Sequence, residues 1–286
     1  MGSSVRPIDV VRVSGGGSAS RQDVAAAEEP LEVRLHGRTF VVTMRTPGAD
    51  QELVAGLLLS ERILGSDPAT GRINSLIRFV PGSDPNVIDV TLAGDAARRA
   101  EHALGERRLV TANSACGVCG RQSIDDLMVG VPRVTGALSM PAALIASLPE
   151  RLRAAQAAFD ETGGLHAAGL FDAAGTLVAV AEDVGRHNAV DKVIGSQLLA
   201  ERLPLGDRVL MVSGRTSFEI VQKTVVAGIP ILAAVSAPSS LAIDLAREAG
   251  LTLLGFVRGD TFNIYAGPER IILGPETPTK AYNQPR

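Results

Sequence analysis

The chain has no tryptophan, two tyrosines and seven phenylalanines among 286 residues. That is too few rings for the aromatic platforms on which single-stranded nucleic acid or sugars stack. It also lacks an excess of one charge: 28 lysines and arginines against 31 aspartates and glutamates leave −3. No general nucleic-acid binding face is expected, and an anionic ligand has to be met by a local cluster. Cysteine occurs twice, which excludes the disulfide framework of a small secreted protein. No N-terminal stretch joins a basic region to a long apolar run and a small-residue cleavage site, so the expectation is a cytoplasmic protein. The longest charge-free run, Thr224 to Ile243, is interrupted by Gly228, Pro230 and Pro238. Its apolar parts are too short for a ~30 Å hydrocarbon layer, so no membrane partner is expected.

What is present is aliphatic. Hydrophobic residues make up 45% of the chain, and with so few rings the core has to be built from Ala, Val, Leu and Ile, a composition suited to close helix-on-sheet packing. Residues 1–30 carry Gly15-Gly16-Gly17 among serines, then an Ala/Glu stretch. They read as a mostly mobile tail, because no apolar periodicity anchors them, and the glycines are no phosphate loop, because no P-loop Lys-Ser/Thr follows them. From Leu31 the alternation Leu31, Val33, Leu35, a turn at His36-Gly37 and the run Thr39 to Thr43 read as a hairpin. Asp50 reads as a helix cap, with a helix over Gln51 to Ile63 and a basic helix over Ala96 to Leu104. These elements define an N-terminal α+β module over 31–111, followed by a connector over 112–133.

Residues 134–275 alternate more regularly. A helix is expected over Ala142 to Phe159, a hairpin over His166 to Ala181, and a helix over Ala189 to Leu203. Strands at Arg208 to Val212, Ile231 to Val235 and Leu251 to Val257 then alternate with helices at Phe218 to Ala227 and Leu241 to Ala249. Strands and helices in that order imply right-handed crossovers and neighbouring parallel strands. The fold class expected is α/β, a three-layer α/β/α domain with a mixed sheet. A further strand pair near Asn263 to Ala266 and Arg270 to Leu273 precedes a polar tail over 276–286.

Both cysteines sit in Ala115-Cys116-Gly117-Val118-Cys119-Gly120, a run of small residues that suits sulfur presented on a mobile loop. Such a pair reads as a redox dithiol, half of a zinc site, a sulfur carrier or an inert coincidence. Zinc needs two further ligands, and the four histidines and the carboxylates offer no second pair at metal spacing. The His/Cys, Glu and Pro-Cys-x-x-Cys order of the zinc deaminases is missing as well. A redox dithiol would want the pair just after a buried strand, opening a helix, for which Arg108 to Thr111 and Gln122 onward are candidates. A sulfur carrier needs a thiolate that can hold a persulfide, and Arg121 beside the pair favours the thiolate.

Three turns follow strands. Ser213-Gly214-Arg215-Thr216-Ser217 points backbone N–H groups and a helix start toward one place, with Arg215 and, further on, Lys223 adding charge. Ser236 to Ser240 is a second capped helix start. Phe256-Val257-Arg258-Gly259-Asp260-Thr261 follows the last parallel strand, where Arg258 suits phosphate and Asp260 can accept from two guanine N–H groups. In a parallel sheet all three face the carboxyl ends of the strands, the usual ligand crevice. Glu182 to Asn188 also follows a strand; Asp183 and Asn188 read as caps and His187 with Asp191 as a helix-face hydrogen bond, or else the whole run lines the site.

Ala115 to Gly120, Glu182 to Lys192 (EDVGRHNAVDK), Ser213 to Lys223 (SGRTSFEIVQK), Ser236 to Leu241 and Phe256 to Asn263 together resemble the formate dehydrogenase accessory sulfurtransferase family, the FdhD-type sulfur carriers. The resemblance covers roughly residues 30 to 275. It implies a cytidine-deaminase-like domain without the zinc chemistry and a homodimer. It implies a sulfurtransferase that accepts sulfur from a cysteine desulfurase and passes it to the bis-molybdopterin guanine dinucleotide molybdenum cofactor, a bound substrate and not a permanent cofactor, for formate dehydrogenase. Cys116 would carry the persulfide with Cys119 its helper, and Phe256 to Thr261 would contact the cofactor. The Ser213 to Ser217 turn and His187 would complete the binding crevice.

Overall fold

The computed structural model describes residues 3–65, 76–80, 82–107 and 132–274. The Cys116–Cys119 run and the expected module boundary near Thr111 lie outside the described residues.

The segment read as a mobile tail is instead a hairpin, β1 (Val5–Ser14) against β2 (Gly17–Ala26), paired from Val5 opposite Ala26 to Ser14 opposite Gly17. Gly15 and Gly16 both take positive φ, 57° and 83°, as a two-residue turn matched to strand twist requires. At the base the Ala27 N–H donates to the Ser4 carbonyl at 2.9 Å. The period-two set Val5, Pro7, Val11 and Val13 was diluted by Asp9 and by the serines of β2, and so read as structureless.

A second sheet is ordered β4-β3-β6-β5, from β3 (Glu29–Leu35), β4 (Arg38–Arg45), β5 (Ile77–Val80) and β6 (Val87–Leu92), with β3 and β6 parallel. Leu31, Val33 and Leu35 point into the core with no exposure, as their alternation requires. Helices α1 (Asp50–Ser60) and α2 (Gly94–Arg107) complete this part. Asp50 is not a cap. Ala49 precedes α1 at φ 54°, and the Asp50 carboxylate receives both ends of the buried Arg45 guanidinium at 3.0 and 3.1 Å.

The expected helix over Ala142 to Phe159 is two helices, α3 (Ala142–Arg153), preceded by the two-residue β7 (Met140–Pro141), and α4 (Ala157–Thr162). The break is fixed by Glu182, whose carboxylate accepts from the Ala158 and Phe159 N–H groups at 3.0 and 2.8 Å. β8 (His166–Phe171) and β9 (Leu177–Asp183) form the hairpin. Then α5 (Arg186–Leu199) starts three residues earlier than expected, β10 (Val209–Val212) is followed by α6 (Phe218–Val226), β11 (Ile231–Ala234) by α7 (Ser240–Ala249), and β12 (Thr252–Arg258) by β13 (Thr261–Ala266). The sheet order is β13-β12-β11-β10-β8-β9; β10, β11 and β12 are parallel and the other pairings antiparallel. The last two expected strands do not pair with each other. β13 joins β12, and β14 (Ile271–Ile272) pairs with β7.

Successive residues of the central strands serve opposite faces. Leu210, Val212, Leu232, Ala234 and Leu253 join one cluster with Val193 and Ile194 of α5, Val221 of α6 and Leu245 of α7. Val209, Met211, Ile231, Ala233 and Leu254 join another with Ile145, Leu148 and Leu152 of α3. The result is a mixed sheet covered by helices on both faces, as continuous apolar strands demand. The first cluster also contains Leu31, Val33, Leu53 and Leu58, so β3 and α1 share the core of the larger sheet. The contact runs through two glycines: a Cβ on Gly56 would overlap the Asp191 carbonyl oxygen, and one on Gly195 the Glu52 carbonyl oxygen.

Candidate functional site

The carboxyl ends of β10, β11 and β12 are stitched into one edge by backbone hydrogen bonds. The Thr216 N–H donates to the Ala237 carbonyl at 3.1 Å and the Ser239 N–H to the Thr216 carbonyl at 2.9 Å, while the Phe256 N–H donates to the Ser236 carbonyl at 3.2 Å. The structure thus brings together all three turns expected to form the crevice. Ser213 extends the edge toward β8, its hydroxyl accepting from the Ala167 N–H at 2.9 Å. Thr216 is 1% exposed and its hydroxyl has no hydrogen-bond partner.

Because β8 is antiparallel to both β10 and β9, the end of β9 and the start of α5 reach the same edge. Asp183 holds that junction. Fully buried, its carboxylate accepts from the Thr46 N–H at 3.1 Å, the Gly185 N–H at 2.8 Å and the Asn188 amide at 2.9 Å, and pairs with Lys192 at 2.7 Å. One turn on, His187 Nε2 lies 3.0 Å from the Ser217 hydroxyl and 3.4 Å from a Glu219 carboxylate oxygen. Burial pushes this imidazole down to about 4 in spite of Glu219, so the ring is neutral near pH 7.

Several expected roles are different in the structure. Lys223 does not face the crevice; it is 2% exposed, with both Asp191 oxygens at 2.9 Å and Glu219 at 3.4 Å. Burial pulls its ammonium down, but the two carboxylates outweigh that and hold it above the ordinary lysine value. Asp191 is committed to Lys223 and to the Ser60 hydroxyl at 3.1 Å, so it makes no helix-face bond to His187. Burial drives the Asp191 carboxyl up to about 6 against the pull of Lys223. Val257 has no exposure and belongs to the core on the α3 side, so it offers a ligand no side chain. Arg258 remains open to the phosphate role expected of it: it is exposed, only its Nε is bonded, to the Val235 carbonyl at 3.1 Å, and its guanidinium lies 5.8 Å from the Phe256 ring centre.

Phe256 itself is exposed at φ 54°, within an irregularity of the β12–β13 pairing. Gly259, Asp260 and Thr261 are exposed at the tip that follows, with Gly259 at φ 57°. Arg186, within the Glu182 to Asn188 run, opens α5 at this edge. His166 was not assigned to the site from sequence; it opens β8, and only its position as the first residue of an element at this edge could have marked it. Cys116 and Cys119 lie outside the described residues, and among those described no group of His, Cys, Asp and Glu could hold a metal ion.

The sequence pattern of the FdhD/NarQ family matches residues 26–272. The chain belongs to this family. A curated relative from Nocardia farcinica named sulfur carrier protein FdhD is 50% identical over 270 residues, covering 92% of this chain and 93% of the relative. One of the same name from Streptomyces avermitilis is 51% identical over 269 residues, covering 92% and 94%. Among solved structures, a formate dehydrogenase accessory protein from Desulfotalea psychrophila superposes with a TM-score of 0.71 at 25% identity, covering 94% of this chain and 99% of that one. The FdhD/NarQ chain described here has, among its described residues, no helix long and apolar enough to cross a membrane.

Proposed function

We propose that this FdhD/NarQ protein is a sulfur carrier serving formate dehydrogenase, a cytoplasmic sulfurtransferase that works as a homodimer on a deaminase-like scaffold. Its family membership carries the sulfur-carrier role. In this reading the Cys116 thiolate attacks the outer sulfur of a cysteine desulfurase persulfide. A new S–S bond forms on Cys116, the desulfurase S–S bond breaks, and the desulfurase cysteine leaves as thiolate. Cys119 assists release. The acceptor is the bis-molybdopterin guanine dinucleotide molybdenum cofactor, bound as substrate along the crevice of Ser213–Ser217, Ser236–Ser240 and Phe256–Thr261.

Three strand ends and the starts of α6 and α7 opening on one edge support that placement, because helix starts supply N–H groups for phosphate. The exposed Asp260 suits the two-donor edge of guanine. The deciding experiment is intact mass after incubation with a cysteine desulfurase and cysteine. A persulfide adds about 32 Da to a thiol and is cyanide-labile. Cys116→Ala is expected to remove that gain; a variant labelled like wild type refutes the assignment. A stoichiometric zinc ion protecting both thiols would instead favour a zinc site.

A further inference from the structure

The larger sheet ends on β9. Among the described residues no strand lies beyond it, so the N–H and C=O groups on the side away from β8 form an open edge. Such edges are ordinarily guarded by lysine, proline or an inward charge. β9 has none of these before Glu182: its run is Leu177-Val178-Ala179-Val180-Ala181, and Val180 is 39% exposed. The irregularity in its pairing with β8 falls at the start, between Leu177 and Ala179, and from Ala179 to Asp183 the register is regular.

At that same start the edge runs into a cavity of ≈ 600 Å³. One part of its wall is apolar, Val178, Pro204 and Leu205, and the other carries Arg202, Asp207 and Arg208. Arg208 pairs with Asp207 at 2.6 Å, whereas Arg202 is exposed and has no carboxylate partner among the described residues. The excess charge is thus one guanidinium. Gln197 also lines the cavity; it is 5% exposed and gives one amide N–H to the Ser196 hydroxyl at 3.1 Å, and a primary amide has two to give. The end of α5 does not oppose an anion here, because the carbonyls of Ser196, Gln197 and Leu198 accept from the N–H groups of Ala200, Arg202 and Glu201.

β9 and β10 are each antiparallel to β8, so the cavity, at the starts of both, lies at the sheet edge opposite the crevice. A strand added antiparallel to β9 brings its carboxyl end to the cavity, while a parallel one brings its amino end against Arg202. Charge therefore selects the antiparallel neighbour and a free carboxylate. Residues 275–286 of this chain do not fit, because Pro278 and Pro285 cannot donate to a ladder and Lys280 and Arg286 add like charge.

We infer that the outer edge of β9 and this cavity together take the C-terminal segment of a partner protein, added as an antiparallel strand. Its carboxylate meets Arg202 and Gln197, and an aliphatic last side chain packs on Val178, Pro204 and Leu205. The crevice stays open in such a complex. The partner sits where the connector from the cysteine run rejoins the fold, since a Cβ on Gly136 would overlap the carbonyl oxygen of Gly206 in the cavity wall.

The test is fluorescence anisotropy of the full chain with labelled hexapeptides of alternating Thr and Val that end in Val, Leu or Ile, each made as free acid and as C-terminal amide. At least one acid is expected to bind, and its amide to bind on the order of 10- to 100-fold more weakly, as loss of a charge-assisted bond requires. Arg202→Ala is expected to bring the acid down to the level of the amide, and Arg202→Lys to recover part of the difference. Methylating the peptide nitrogens one at a time leaves the protein untouched and is expected to weaken binding at alternate positions only. Equal binding of acid and amide, no binding at all, or an Arg202→Ala variant that behaves like wild type overturns the carboxylate pocket. Methylated positions that all behave alike overturn strand addition. So does N-acetylvaline competing as well as a hexapeptide, which would leave a site for small carboxylates. A Val180→Lys substitution that splits a dimer of this chain in sedimentation would give the edge to a second copy and overturn the proposal as well.

Discussion

Gly195 on α5 lies against the Glu52 carbonyl of α1 so closely that no Cβ fits between them. The two helices touch through backbone, which fastens β3, β4 and α1 to the layer that carries His187. In an ordinary helix Gly→Ala gains ~1 kcal/mol from propensity. Here Gly195→Ala is expected to lose stability, because over-packing a tight contact costs ~1–3 kcal/mol. Denaturant unfolding of Gly195→Ala and Gly56→Ala decides the sign, and a stabilised variant would show that the helices separate freely.

Lys223 and Asp191 form a buried pair with both oxygens engaged at 2.9 Å. Removing Asp191 leaves the buried Lys223 ammonium with only the longer Glu219 contact, at 3.4 Å. Asp191→Leu alone is therefore expected to cost ~3–5 kcal/mol, while Asp191→Leu with Lys223→Met recovers much of that loss, since apolar replacement of a whole buried pair is often neutral. Equal destabilisation of the single and the double variant, read by urea midpoint, would contradict this.

His187 and Asp191 set opposing pH dependences. The folded imidazole sits at about 4 against an ordinary 6.5, so between those values the unfolded chain binds a proton that the native protein refuses. His187 thus contributes fully above pH 6.5 and loses its contribution as pH falls toward 4. Asp191, at about 6 against 3.8, takes up its proton in the fold first and favours the fold on acidification through that window. The wild-type advantage over His187→Gln is expected to shrink by up to about 3 kcal/mol between pH 7 and pH 4, at ~1.36 kcal/mol per pK unit. An advantage independent of pH would mean that the ring is not held neutral.

The parallel strands and the three crevice turns were legible because each strand carries a short apolar run that leads into a turn of small or polar residues, as at Val209–Val212 before Ser213. Val257 and Lys223 were misjudged for a shared reason. Position in a motif says nothing of which way a side chain turns, and both face inward once β12 and α6 dock on the sheet. The helix break at Gln156 was hidden as well, since its cause, the Glu182 carboxylate, is distant in sequence. His166 carried no such signal, because its neighbourhood with Arg186 exists only after β8 and α5 converge on Gly214.

Asp260 and Arg258 provide the last separable prediction, for they are two residues apart and do different things. Asp260 is exposed at the β12–β13 tip, and a carboxylate can accept from both N–H donors on the guanine edge, whereas adenine offers no such pair. Asp260→Asn replaces one acceptor with a donor, so guanosine diphosphate is expected to lose on the order of 10- to 100-fold while adenosine diphosphate is unchanged, one charge-assisted bond being worth ~1.5–3 kcal/mol at ~1.4 kcal/mol per decade. Arg258 instead braces the Val235 carbonyl and the Phe256 ring. Arg258→Ala is therefore expected to weaken guanosine and guanosine diphosphate by the same factor, through a looser turn and not through a lost phosphate contact. Calorimetric titration of the two variants with the three ligands separates the roles. A loss in Arg258→Ala confined to the diphosphate would mean that Arg258 contacts the phosphate directly.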